Sequence, residues 1–147
     1  MAITSKIFSK CPQYALTTAL GNITTASNVK TALYVSASFG ATQTMTTQTY
    51  TGVNAAPSTE VTQANGYTTT GVATTGTSTT ASLITTGGSA NAVWTVTGAG
   101  FTFRYAVVYN VATDYCYTLI DMGTDVTVVA GTLTLDYTAG LFTITVA

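Results

Sequence analysis

Histidine is absent from this chain. That single absence excludes Ser-His-Asp and Cys-His hydrolysis, imidazole general-base catalysis and histidine metal ligation together. Charge is scarce too, with four Lys and Arg, five Asp and Glu, 6% of 147 residues and a net charge of −1. Ordinary globular proteins carry roughly a quarter charged residues. Nucleic-acid binding needs several cations against phosphates, so it has no electrostatic basis here. So little charge protects a free monomer poorly, and suits a protein docked in an assembly or a secreted surface protein. Long apolar runs are missing as well, because Thr and Gly interrupt each one before about 18 residues, so no membrane-spanning helix is expected. The stretch holding Lys6, Lys10 and Tyr14-Ala-Leu-Thr-Thr-Ala-Leu20 is too polar for a secretory signal core. Cysteine is limited to Cys11 and Cys116. They can pair, but one candidate pair is no disulfide framework, and the default for both is a buried thiol acting as a small hydrophobe.

What fills the chain instead is threonine, about a quarter of all residues, beside 46% apolar residues. Threonine is β-branched and favours strands, so the bias points to β structure with a neutral, hydroxyl-rich surface. Nine Tyr, five Phe and one Trp supply bulky core or interface anchors. The length suits one domain with a real core.

The strongest strand is Phe101-Thr-Phe-Arg-Tyr-Ala-Val-Val-Tyr109. Side chains alternate across a strand, so Phe101, Phe103, Tyr105, Val107 and Tyr109 are expected on one face. The other face begins polar and ends apolar, as in a strand whose second half is covered on both sides. Ahead of it, Ala92–Thr97 reads as a strand, with Gly98-Ala-Gly100 predicting a hairpin between the two. Tyr117–Met122, Val126–Val129, Thr132–Tyr137 and Leu141–Val146 follow, the last two joined by a hairpin turn at Thr138-Ala-Gly140. Residues 1–10 read as an arm anchored by Ile3, Ile7 and Phe8, ahead of a single β-rich domain over 11–147. A short helix is expected from Cys11, where Pro12 suits the first turn and Gly21 the cap. Val29–Phe39 reads as a strand. A long connection is expected over 51–65, with the turn signal Asn65-Gly66 and with Pro57, and parts of 68–88 are loop-rich around weak strands at Tyr67–Thr74 and Thr79–Thr85. Short strands at roughly ten-residue spacing predict an antiparallel β-sandwich or barrel-like domain.

Little chemistry is available to such a chain. The acids are Glu60, Asp114, Asp121, Asp125 and Asp136. A glycosidase pair is arithmetically possible, but Asp at turns and strand ends usually bonds local backbone. Asp121-Met-Gly-Thr-Asp125 lacks the twelve-residue calcium loop, and Gly98-Ala-Gly100 joins strands rather than opening a helix, so neither a metal nor a dinucleotide is expected. Arg104, the only Arg, is expected to pair with a strand Asp such as Asp121, with a role in subunit contact as the alternative. The reading is of a non-enzyme without cofactor.

Several stretches together resemble small virion proteins of tailed bacteriophages. They are Met1-Ala-Ile-Thr-Ser-Lys-Ile-Phe8, Val29-Lys-Thr-Ala-Leu-Tyr-Val35, Gly66-Tyr-Thr-Thr-Thr-Gly-Val72, Arg104-Tyr-Ala-Val-Val-Tyr109, Leu119-Ile-Asp-Met-Gly123 and Gly140-Leu-Phe-Thr-Ile-Thr-Val-Ala147. They occur in the family's order and touch both ends, although the Thr-Ser-Gly expansion at 68–88 departs from its pattern. The resemblance implies a capsid decoration, or cement, protein on the virion surface, assembled in the host bacterial cytoplasm. Its implied partners are the major capsid protein and itself as a trimer, with no nucleic acid and no membrane. On that reading Ile3, Ile7 and Phe8 anchor the arm, and Tyr34 and Tyr50 are contact aromatics. Two alternatives stand beside it: a tail or head-fibre component of the same kind of virion, and a secreted carbohydrate-binding module using Trp94 against a sugar. Core packing is the default reading for Trp94.

Overall fold

The computed structural model describes residues 4–7, 29–37, 39, 49–54, 59–73, 91–136 and 143–146. The helix expected from Cys11, the strand at 79–85, the turn at 138–140, and Ile3, Phe8 and Cys11 lie outside the described residues. The described elements are β1 (Thr4–Ile7), β2 (Val29–Tyr34), α1 (Tyr50–Asn54), β3 (Val72–Ala73), β4 (Ala92–Val96), β5 (Phe101–Asn110), β6 (Cys116–Val128), β7 (Gly131–Asp136) and β8 (Thr143–Val146). They form a five-stranded sheet ordered β1-β6-β5-β2-β3 and a three-stranded sheet ordered β4-β7-β8. Every strand pairing is antiparallel. The chain is all-β and sandwich-like, as its threonine content and turn spacing predict.

Alternation builds the core between the sheets. On β4, Ala92, Trp94 and Val96 are buried while Val93 and Thr95 face out. Trp94 and Val96 join Leu133 and Leu135 of β7, and these pack with Leu33 of β2, Phe103, Ala106 and Val108 of β5, and Ile120 and Met122 of β6. Each such side chain contributes about 1.5–3 kcal/mol on burial. A second apolar layer covers the far face of the larger sheet: Ala32, Tyr34, Tyr105, Val107, Tyr109, Cys116 and Leu119 meet Val53 of α1, with Tyr50 and Phe39 against them. The larger sheet is therefore covered on both faces, and Tyr105 to Asn110 are all buried.

Four expectations need correction. Gly98-Ala-Gly100 does not close a hairpin, because β4 pairs with β7 in one sheet while β5 pairs with β2 and β6 in the other. The turn is a corner between sheets, and it sets the apolar face of β4 opposite that of β5 instead of beside it. Both glycines have positive φ, 58° and 71°, and a Cβ on Gly100 would stand 1.8 Å from the Val128 carbonyl oxygen. Asn65 Nδ2 also donates to the Gly100 carbonyl at 2.7 Å.

The aromatic ladder of β5 is likewise split. Phe101 and Phe103 belong to the core between the sheets, whereas Tyr105, Val107 and Tyr109 face the second layer. The alternation breaks at Arg104, where Phe103 pairs with Val126 but Tyr105 pairs with Asp121. β6 bulges out between those partners, and a bulge of this kind re-aims the side chains around it. The two strands expected at 117–122 and 126–129 are thus one long strand, and Asp125 lies exposed on it instead of in a turn. β2 is shorter than expected and ends at Tyr34 ahead of a turn at residues 36–37.

Candidate functional site

The richest polar cluster forms where the segment 59–73 lies on β2. Tyr34 and Glu60 are bridge partners, Val35 N donates to Thr59 O at 3.1 Å, and Val61 N donates to Leu33 O at 2.9 Å. This short ladder carries the Glu60 carboxylate toward the second apolar layer. The next turn, closed by Tyr67 N to Ala64 O at 2.9 Å, has Asn65 and Gly66 at φ 52° and 89°. Positive φ at both central residues is the type I′ pattern that Asn-Gly favours. The turn drives Tyr67 inward to 2% exposure, where its hydroxyl donates to Glu60 Oε1 at 2.6 Å and accepts Leu33 N at 2.9 Å.

Thr70 follows with φ 76°, an unusual conformation for a β-branched residue. Such backbone costs about 1–3 kcal/mol and persists only where its surroundings over-determine it. Three contacts do so here. Thr70 N donates to Glu60 Oε1 at 2.8 Å, its carbonyl accepts Tyr109 Oη at 2.8 Å, and its Oγ1 accepts Lys30 Nζ at 3.0 Å. The adjacent Gly71 has no room for a side chain, since a Cβ would stand 1.8 Å from Thr31 O.

α1 approaches from the other side. Thr49 Oγ1 accepts Gly52 N at 3.0 Å, and the Asp114 carboxylate accepts Thr51 N at 3.2 and 3.3 Å. These acceptors satisfy amides that the first turn of a helix leaves open. So fixed, Tyr50 donates from its hydroxyl to Glu60 Oε2 at 2.5 Å and stacks on Tyr109, centroids 4.1 Å apart and planes 9° from parallel. Asn54 Oδ1 accepts Tyr34 Oη at 2.9 Å.

Burial pushes the hydroxyls of Tyr34, Tyr50, Tyr67 and Tyr109 well above the ordinary tyrosine pKa, and the nearby Glu60 charge pushes each further. All four therefore stay protonated at neutral pH. Burial, with Asp114 adding to it, also raises Cys116, which is free and buried, so its thiol is not activated. Among the described residues no group of three His, Cys, Asp or Glu side chains is placed to hold a metal ion. What this cluster does chemically is fasten: one carboxylate ties α1, the 59–73 segment and the larger sheet together.

Arg104 sits apart from it. Its Nε lies 3.0 Å from Asp121 Oδ1, the ion pair expected from the sequence, with the two side chains 33% and 30% exposed. Its guanidinium also lies 5.3 Å from the centre of the Tyr105 ring. Asp121 Oδ1 additionally accepts Gly123 N at 2.8 Å, so one carboxylate holds both Arg104 and the β6 bulge.

Of the expected contact residues, Tyr34 and Tyr50 meet in the Glu60 cluster. Tyr34 is fully buried and offers no exposed ring, while Tyr50 is half-buried. Ile7 ends β1. Trp94 is 1% exposed, packed in the core and stacked toward Tyr67, so it presents no ring face to a sugar. Sequence reasoning passed over Glu60 as an organiser, along with Tyr67, Thr70 and Tyr109. The available signal was the only Glu of the chain standing in a turn-rich segment between two tyrosines. No family model, curated protein or solved structure matches this chain.

Proposed function

We propose that this chain is a structural component of a tailed-bacteriophage particle, a decoration protein that binds the major capsid protein shell and itself. The observation that carries the reading is β1. Thr4–Ile7 adds antiparallel to β6, from Thr4 opposite Asp121 to Ile7 opposite Thr118, as an edge strand distant in sequence from its partner. A short segment that completes a sheet edge from far along the chain is also the kind of element that clasps a neighbour's edge, using main-chain hydrogen bonds that need no particular side chains. The resemblance at both ends of the chain and the scarcity of charge support the same reading. So does the Glu60 cluster, which devotes its polar groups to rigidity. Cementing needs a stiff domain whose modest contacts are multiplied over many copies.

The test uses capsids stripped of this protein. Full-length protein and a form lacking residues 1–8 are each mixed with them, sedimented and counted per shell. The full chain is expected to bind at saturating occupancy. The shortened form is expected to keep its circular dichroism spectrum yet stay in the supernatant. Full occupancy by the shortened form would overturn the role given to β1.

A further inference from the structure

Asn65 is the only Asn of this chain followed by Gly. The side-chain amide carbon of an Asn lies one methylene from its own backbone, within reach of the next residue's backbone nitrogen. A following Gly has no Cβ and the widest choice of backbone angles, so it hinders closure of that five-membered ring least. Water reaches the turn, since Asn65 is half-buried and Gly66 exposed.

We infer that Asn65-Gly66, in the turn that fastens segment 59–73 to the corner between β4 and β5, is a spontaneous deamidation site that folding switches off. In the reaction the Gly66 nitrogen attacks Asn65 Cγ and gives up its proton to solvent. The new N–Cγ bond forms, the Cγ–Nδ2 bond breaks, and Nδ2 takes up a proton and leaves as ammonia. Water then cleaves the cyclic imide at one carbonyl or the other, giving aspartate or isoaspartate. No oxidant or reductant is needed.

Three contacts oppose this in the folded chain. Ring closure requires the Asn65–Gly66 peptide to swing about its bond to the Asn65 α-carbon. The carbonyl of that peptide accepts Thr97 N at 2.9 Å, so the swing breaks a hydrogen bond to the end of β4. Gly66 also lies against the same strand so closely that a Cβ would stand 1.9 Å from the Thr95 carbonyl oxygen. The leaving group is held as well, because Asn65 Nδ2 donates to the Gly100 carbonyl at 2.7 Å. Tyr67 N, bonded to Ala64 O at 2.9 Å, closes the turn, and the buried Tyr67 ring anchors it. None of these contacts exists in the unfolded chain.

The product undoes the joint. A carboxylate in place of the amide sets an acceptor and a negative charge against the Gly100 carbonyl where a donor stood. Isoaspartate also inserts a methylene into the main chain of a tight turn. A chain that reacts before folding therefore carries a permanent fault at the corner between the sheets. This inference is independent of the capsid-binding proposal.

The test is peptide mapping by mass spectrometry of the full chain, held in mildly alkaline buffer with and without denaturing guanidinium. In denaturant Asn65 is expected to convert ahead of every other Asn, to a mixture of aspartate and isoaspartate. In buffer it should convert at least about tenfold more slowly, since two hydrogen bonds must break first. Gly66→Ala, measured in denaturant so that its folding does not matter, should slow the reaction. Equal rates with and without denaturant, no lead of Asn65 over the other Asn residues, or no effect of Gly66→Ala would each overturn the inference. Asn65→Asp, which reproduces one product, should melt below the wild type or fail to fold, and an unchanged melting temperature would overturn the fault assigned to it.

Discussion

Truncating Glu60 to Ala removes the acceptor for Tyr67 Oη, Thr70 N and Tyr50 Oη at once. An orphaned buried donor costs about 1–3 kcal/mol, so Glu60→Ala is predicted to lower the unfolding free energy by at least that much in urea titration. Glu60→Gln, which keeps the shape but turns an NH₂ toward a donor, should fall between. The tyrosines set an alkaline limit. Their folded pKa values lie above the value near 10 of a free tyrosine, so the native state holds protons that the unfolded chain releases. Stability from this source is complete below about pH 10 and declines as pH rises beyond it. Tyrosinate absorbance should therefore appear in step with loss of near-ultraviolet circular dichroism above that pH, and ionisation of all nine tyrosines in a still-folded chain would contradict the cluster. Trp94→Ala is predicted to cost about 3–5 kcal/mol, the usual range for emptying a large aromatic from a core. The burial of Trp94 was legible because strand alternation marks it, and Arg104–Asp121 because so few charges exist to choose among. Glu60 was not legible, since its partners at positions 50, 67 and 70 follow no period and meet only through two tight turns.

At the scale of elements, local alternation located β4, β5 and β7, and the β7–β8 antiparallel pairing agrees with the hairpin expected there. It could not show which strands are neighbours. A Gly-Ala-Gly turn serves a hairpin or an intersheet corner equally well, and the choice is made by which apolar faces must oppose each other. The β5 ladder failed for a related reason: a bulge changes the phase of alternation, and the only sequence trace of it is Gly123 in β6. α1, five residues long, has no helical period to read and depends on acceptors at Thr49 and Asp114. Three substitutions probe these features. Gly100→Ala should lose more than about 1 kcal/mol, because φ is positive and a carbonyl fills the space. Asp121→Ala should lower the melting temperature more than Arg104→Met does, because the Asp121 carboxylate also accepts Gly123 N in the bulge. Equal effects of the two would assign Asp121 to the ion pair alone.

For the whole molecule, composition read the class correctly: a weakly charged, threonine-rich chain folds as antiparallel sheets with two apolar layers. Composition is silent on what such a domain docks against, because a neutral hydroxyl surface carries no electrostatic address. The proposed function therefore rests on the added edge strand β1 and on the resemblance read from the sequence, which is a proposal and not a family assignment. A decoration protein, a tail or head-fibre component and a secreted module differ most plainly in how many copies accompany each particle. The direct test of that proposal is quantitative mass spectrometry of purified particles of the proposed source phage, with the major capsid protein as internal standard. The proposal predicts copies in a fixed ratio to the capsid protein, hundreds per particle in the manner of a shell-wide binder. A count of a few per particle, or none, would contradict it.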